Sequence, residues 1–195
     1  MTEDNTENFL TIELKDGPVL IELYPDKAPG HVKRIKKLAG DGKYDGVAFH
    51  RVIDGFMAQT GDIEFGNSKK YSDNRVGTGG SDLPDLKAEF HEGNHEKGTC
   101  SMARSNLPDS ANSQFFICFD SATFLDNQYT IWGQVIEGMD HVDKIKRGAP
   151  GSGAVEDPDI MIKVTVGKTK KKPGKKKPAK KAKKAKAGTK GSNGL

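Results

Sequence analysis

Apolar residues fall along this chain in short runs whose spacing changes from segment to segment. Thr11-Ile12-Glu13-Leu14-Lys15 alternates polar and apolar, and Val19 to Tyr24 alternates again after Asp16-Gly17-Pro18, residues that favour a turn. A period of two puts successive side chains on opposite faces of a strand, so this stretch predicts an N-terminal β-hairpin. In APGHVKRIKKLAGDG the period lengthens. Val32, Ile35, Leu38 and Ala39 share one helical face and Lys33, Arg34, Lys36 and Lys37 the other, with Pro29 suited to a first turn and Gly40 able to end the helix. A second helix is predicted over 137–146, EGMDHVDKIK, where Met139, Val142 and Ile145 recur every third residue. The remaining apolar runs are short: Val47 to Ile53, Cys100 to Ala103, Gln114 to Phe119, Thr130 to Val135 and Ile160 to Val166. Many short strands with two amphipathic helices predict a mainly β domain, a closed or sandwiched sheet with helices over its ends.

Two segments break this pattern. Ile63 to Leu86 is rich in Gly, Ser, Asp and Asn and has no period; so long a loop in a compact domain is expected to be functional or mobile. Beyond Gly167, Pro, Gly, Ala and Lys take over. From Lys168 to Lys190 there are 13 lysines and no acid, which leaves 18 Lys+Arg against 27 Asp+Glu in the rest of the 195 residues. The net +4 is therefore an acidic body joined to a basic tail. The expected division is a flexible 1–8, a folded domain at 9–167 and a disordered lysine-rich 168–195. There is no apolar run near the length of a membrane span, and MTEDNTENFLTIEL has neither the basic nor the apolar region of a secretory signal. Cys100 and Cys118 are too few for a disulfide framework or a zinc site, so buried thiols in a reduced, cytoplasmic compartment are expected.

The usual signatures of covalent and phosphoryl chemistry are missing: no paired carboxylates of glycosidase type, no nucleophile elbow, no Walker A loop. Gly77-Thr78-Gly79-Gly80 lacks the lysine and hydroxyl that would end a phosphate loop. His91 and His95, in HEGNH, have a spacing suited to a metal on a helix, but they stand among turn residues, and a solvated loop is expected. What is left is a group without a nucleophile: His50, Arg51, Phe56, Met57 and Gln59; Ser101 to Arg104; Gln114 to Ile117; Phe124 and Leu125. Core packing would explain the Phe and Met residues taken singly. Arg51 is different, because a guanidinium set among apolar side chains must find hydrogen-bond partners or sit at a pocket rim.

FHRVIDGFMAQTGD, GTGGS, GTCSMAR, NSQFFI and FLDNQYTIWGQVIEGMDHVDKI, in this order, resemble the cyclophilin-type peptidyl-prolyl isomerases over about Thr11 to Val166. The resemblance implies a closed eight-stranded antiparallel β-barrel capped by two helices. It also implies a cofactor-free, non-covalent acceleration of rotation about X-Pro bonds in peptides and in folding proteins. By the same resemblance Arg51 is the catalytic donor to the prolyl nitrogen, and Gln59 bonds the substrate carbonyl. Phe56, Met57, Phe116 and Leu125 line the proline pocket, Gln114 lines the groove, Ala103 leaves room for the residue before proline, Tyr129 stands at the rim, and His50 precedes the arginine.

Departures from the family pattern carry expectations of their own. Phe124 stands where cyclosporin-sensitive members have a tryptophan whose indole N–H bonds the drug, so weakened cyclosporin binding is expected. Arg104 replaces a commoner Asn, and SNLPDSAN is one residue longer than in the best-known eukaryotic members; both features resemble bacterial cyclophilins. Glu64 to Val76 is also extended. A monomer is expected. The tail resembles those of linker histones and some nucleoid proteins and would bind nucleic acid or another polyanion without reading its sequence, giving nucleoid association, or nuclear placement in a eukaryote. Two classes stay open at this level: a folding isomerase, or a proline-binding module carried to a polyanion by its tail. The Arg51 set favours the isomerase.

Overall fold

The computed structural model describes residues 6–168. The predicted disordered tail lies outside the described residues, apart from Lys168, as do residues 1–5 of the predicted flexible N-terminus; Thr6–Asn8 form a single 3-10 turn. The N-terminal hairpin is β1 (Phe9–Leu14) and β2 (Gly17–Leu23), with Leu14 opposite Gly17, so the two-residue turn is Lys15-Asp16 and Gly17-Pro18 already belong to the second strand. α1 (Pro29–Gly40) follows, then β3 (Val47–Ala48), β4 (Arg51–Ile53), β5 (Met57–Thr60), β6 (Thr99–Met102), β7 (Phe115–Cys118), β8 (Ile131–Glu137), α2 (Met139–Val142), β9 (Ile160–Met161) and β10 (Lys163–Val166).

Eight strands form one antiparallel sheet in the order β10-β1-β2-β8-β6-β7-β5-β4, while β3 and β9 pair separately. The sheet curls into a barrel whose end strands β10 and β4 do not pair with each other; the segment 148–162 runs across that gap, bonded to β4 and the adjoining His50 on one side and to β1 on the other. Val52 donates its amide to the Gly153 carbonyl (2.7 Å), Gly148 to Val52 (2.9 Å), Val155 to His50 (3.2 Å) and Ile162 to Glu13 (2.8 Å). Inside the barrel, Leu10, Ile12, Ile21, Phe115, Ile117 and Trp132 are buried, with the Phe115 ring edge-on to both Tyr44 and Trp132.

α1 closes one side with Val32, Ile35, Leu38 and Ala39, the predicted apolar face. Arg34, predicted on the polar face, is buried beside them, and its guanidinium donates to the carbonyls of Pro84 (2.6 Å) and Asn112 (3.1 Å). The helix has no side-chain cap from its own neighbourhood. Glu89, far along the chain, takes that role by accepting the amides of Gly30 (2.9 Å) and His31 (3.0 Å) and the His31 Nδ1 proton (2.6 Å). The predicted second helix is shorter than its apolar spacing suggests. Glu137 is spent on β8, and Gly138 turns the chain at φ 85° against the Pro18 carbonyl, a corner without room for a Cβ.

The long loop is organised by one carboxylate. Asp62, fully buried, accepts the amides of Glu64 (3.1 Å), Phe65 (2.9 Å), Gly77 (2.7 Å) and Gly79 (3.0 Å). The glycine run therefore already surrounds an internal anion, and a side chain at Gly79 would collide with it.

Candidate functional site

The site follows from sheet register. Arg51 lies opposite Gln59, Gln59 opposite Phe116, and Phe116 opposite Ser101, so these four occupy one row across β4, β5, β7 and β6. Residues directly opposite share a face, and so do those two positions along; Ile53, Met57 and Cys118 form the adjoining row. The intervening positions Val52, Ala58, Ile117 and Cys100 face the barrel core. This end of the sheet is thus apolar on both faces. Met57, Phe116, Cys118, Ala122 and Leu125 form a second cluster apart from the core, with Ile53, Phe56, Ala103 and Tyr129 packed against it.

A chain of polar groups crosses this floor. The exposed Arg51 guanidinium donates from Nε to the Ser152 carbonyl (3.2 Å) and from Nη1 to Gln59 Oε1 (3.3 Å). Gln59 Nε2 donates to Gln114 Oε1 (3.0 Å), and Gln114 Nε2 to the Gly79 carbonyl (2.9 Å). Each amide is fixed by its neighbour, and Arg51 keeps donor N–H groups beyond these two bonds. Phe116 meets Tyr129 edge-on at 5.8 Å, and Phe56 meets Phe124 at 5.4 Å. Arg104 lies over the Tyr129 ring (4.5 Å) and donates from Nε (3.1 Å) and Nη2 (2.8 Å) to the Gln128 carbonyl, so it closes the rim beyond Tyr129. Beside the floor a cleft of about 480 Å³ is lined by Gln59, Gly77 to Ser81, Ala103, Arg104, Asn112 and Gln114.

All the sequence-predicted site residues except His50 thus meet on one surface. His50 is buried behind it, next to Gly77, and neither ring nitrogen reaches a hydrogen-bond partner among the described residues. Burial lowers its pKa below that of an ordinary imidazole, against the opposing pull of the Asp62 carboxylate.

His95 is placed differently from the sequence expectation of a solvated loop. It is wholly buried, stacks at 15° on Phe116, and bonds Asp126 Oδ1 from Nδ1 (2.8 Å) and Ser101 Oγ at Nε2 (3.1 Å). Its partner carboxylate lies 31 residues away in sequence, so no local signal could have found it. His91 is tied down separately, with Nε2 against the Ile131 carbonyl (3.0 Å) and Nδ1 accepting the Gly93 amide (3.1 Å). No group of three or more His, Cys, Asp or Glu among the described residues could hold a metal. Cys100 and Cys118 are free and buried as expected, and burial pushes the Cys118 thiol up to about 12, out of reach of thiolate chemistry.

Comparison with known proteins places this arrangement. Residues 9–166 match the family model for the cyclophilin type peptidyl-prolyl cis-trans isomerases. A probable peptidyl-prolyl cis-trans isomerase of Brucella suis is 59% identical over 162 residues, 82% of this chain and 83% of that protein. Peptidyl-prolyl cis-trans isomerase B of Escherichia coli is 36% identical over 172 residues, 81% of this chain and 99% of that one. Among solved structures, the Hirschia baltica cyclophilin AquaCyp293 superposes with a TM-score of 0.69 at 30% identity, over 83% of this chain and 74% of that one. A Cryptosporidium parvum cyclophilin type isomerase, crystallised in the presence of the dipeptide Ala-Pro, gives 0.70 at 25% identity, over 83% of this chain and 99% of that one.

Proposed function

The chain belongs to the cyclophilin-type peptidyl-prolyl cis-trans isomerases, and from that premise we propose that Arg51 accelerates X-Pro rotation by donating a hydrogen bond to the prolyl nitrogen as the amide twists. The barrier to rotation is amide resonance, which gives C–N partial double-bond character. At the twisted midpoint that resonance is lost and the nitrogen regains a lone pair. A donor aimed there binds the transition state better than either planar isomer, and no nucleophile is needed. The observation that carries the reading is Arg51 itself: an exposed guanidinium at the edge of an apolar floor, steered by Gln59 and the Ser152 carbonyl and retaining unused donors.

The proline ring would rest on Met57, Phe116 and Leu125, and the desolvated surroundings favour the less polar twisted amide. Gln59, oriented by Gln114, bonds the substrate carbonyl, and the cleft past Ala103 takes residues before proline. The test is protease-coupled isomerisation of a short X-Pro peptide by the full chain and by Arg51→Ala. Loss of a preorganised donor should lower kcat/KM about 10²–10³-fold. Retention of wild-type rate by a folded Arg51→Ala would remove Arg51 from the mechanism. A second activity is proposed for the tail, where 13 lysines without an acid between Lys168 and Lys190 suit a sequence-blind polyanion contact.

A further inference from the structure

We propose that His95 is a positioning residue for the proline pocket: with Asp126 and Ser101 it clamps the turn at 122–126, one wall of the pocket, to the strand beside the pocket floor. This rests on the pocket assignment to Phe116 and Leu125 made above.

The clamp grips both ends of the turn. The His95 carbonyl accepts the Ala122 amide (2.7 Å) where the turn starts; its own amide (2.8 Å) and its Nδ1 (2.8 Å) both meet Asp126 Oδ1 where it ends. Between these anchors lies the 3-10 helix Thr123–Leu125, which has no side-chain cap of its own and carries Phe124 and Leu125. The imidazole lies near-parallel to the Phe116 ring, centroids 6.2 Å apart, and its Nε2 reaches Ser101, the direct cross-strand neighbour of Phe116. One residue therefore spaces the wall from the floor.

The hydrogen bonds close without an orphan. With Nδ1–H donating to the Asp126 carboxylate, Nε2 is left as an acceptor. The Ser101 hydroxyl can donate either to Nε2 (3.1 Å) or to the Thr130 carbonyl (3.0 Å), and that carbonyl is already satisfied by the Met102 amide (3.0 Å). Ser101 can thus turn its proton to His95 and leave nothing bare. A satisfied polar chain in apolar surroundings is stiff, and stiffness is what a shaped pocket needs. Carboxylate, imidazole and hydroxyl are also the components of a hydrolytic triad, but Ser101 is fully buried and cannot meet a substrate.

The test combines kinetics with ring NMR on the full chain. Wild-type His95 should show the neutral Nδ1–H tautomer; the neutral Nε2–H tautomer would overturn the clamp whether or not any variant folds. Asp126→Ala should raise KM for an X-Pro peptide about tenfold with kcat changed much less, because a misplaced wall weakens binding of ground and transition states alike. Asp126→Asn, whose Oδ1 can still accept both bonds, should recover most of that loss. Wild-type KM in a folded Asp126→Ala overturns the proposal, and so does equal damage in Ala and Asn variants that tracks loss of folded protein. Phe116→Ala separates the premise: if it too keeps wild-type KM, the pocket assignment fails and takes the clamp with it. If only Asp126→Ala does, the clamp alone fails.

Discussion

At the scale of the residue, the expectation of weakened cyclosporin binding turns on one side chain, Phe124. Phe124 is 64% exposed and its ring lies against Phe56, so it presents apolar surface to whatever lies in the groove but offers no donor. A tryptophan there would add an indole N–H at an exposed edge while keeping the apolar contact. Phe124→Trp is therefore expected to tighten cyclosporin binding by about 3–10-fold, the worth of one net hydrogen bond, and to leave kcat/KM within about threefold. Calorimetric titration beside the coupled assay checks both halves, and unchanged drug affinity would show that the missing donor is not what limits binding. Single residues also mark how far the sequence could be read. Arg51 stood out because a guanidinium among Phe and Met needs a reason. His95 did not, because its glycine-rich neighbourhood looks solvated and its partners arrive from the 3-10 turn after Ala122 and from β6.

Among the elements, α1 depends most on distant chain. Its amphipathic spacing was legible, including its end at Gly40, but its start is completed by a carboxylate from residue 89. Arg34, predicted on the polar face, is buried for a related reason: a helical wheel does not include the carbonyls of Pro84 and Asn112 that make its burial tolerable. Strand existence was readable in most cases, yet β5 escaped because Met57-Ala58-Gln59-Thr60 shows no polar-apolar alternation: its neighbours cover both faces. Removing the cap has a calculable sign. Glu89→Ala strips an acceptor from two helix amides and from the buried His31, and should cost about 1–3 kcal/mol in urea unfolding, with unchanged m. Acid should weaken the same joint. Burial lowers the His31 pKa below 6.5 despite Glu89; burial would raise Glu89, but the bonds from His31 and the two amides outweigh it and lower it. The unfolded chain then binds more protons than the folded one below about pH 6.5, and stability present above that pH is lost as pH falls, through His31 first and Glu89 later. His50 and His95, also lowered chiefly by burial, add the same sign. A urea midpoint that stays level or rises between pH 7.5 and 5 would contradict this.

At the scale of the whole molecule, charge is divided more sharply than any strand or helix. With 13 lysines between Lys168 and Lys190 and no acid among them, the rest of the chain is left with 18 basic against 27 acidic residues. The proposed catalytic face lies on β4 to β7 and the turns beside them, while the described chain ends just after β10, where the Gly167 amide bonds the Phe9 carbonyl (2.6 Å) and the Lys168 ammonium lies over the Phe9 ring (3.9 Å). Catalysis and polyanion contact should therefore be separable. A form ending at Gly167 is expected to match the full chain in kcat/KM on a short peptide, which by its size engages the groove alone. Only the full chain should bind duplex DNA, and its affinity should fall linearly with salt on logarithmic axes, with a slope of about 0.9 per phosphate neutralised. Duplexes of unrelated sequence should bind alike, since lysines without arginine or aromatic neighbours provide neither base readout nor stacking. The opposing charge of the body supplies the competing outcome. If the basic segment instead pairs with the acidic body, the full chain will bind DNA no better than the truncated form at low salt, and the two will differ in thermal midpoint by an amount that shrinks as salt is added.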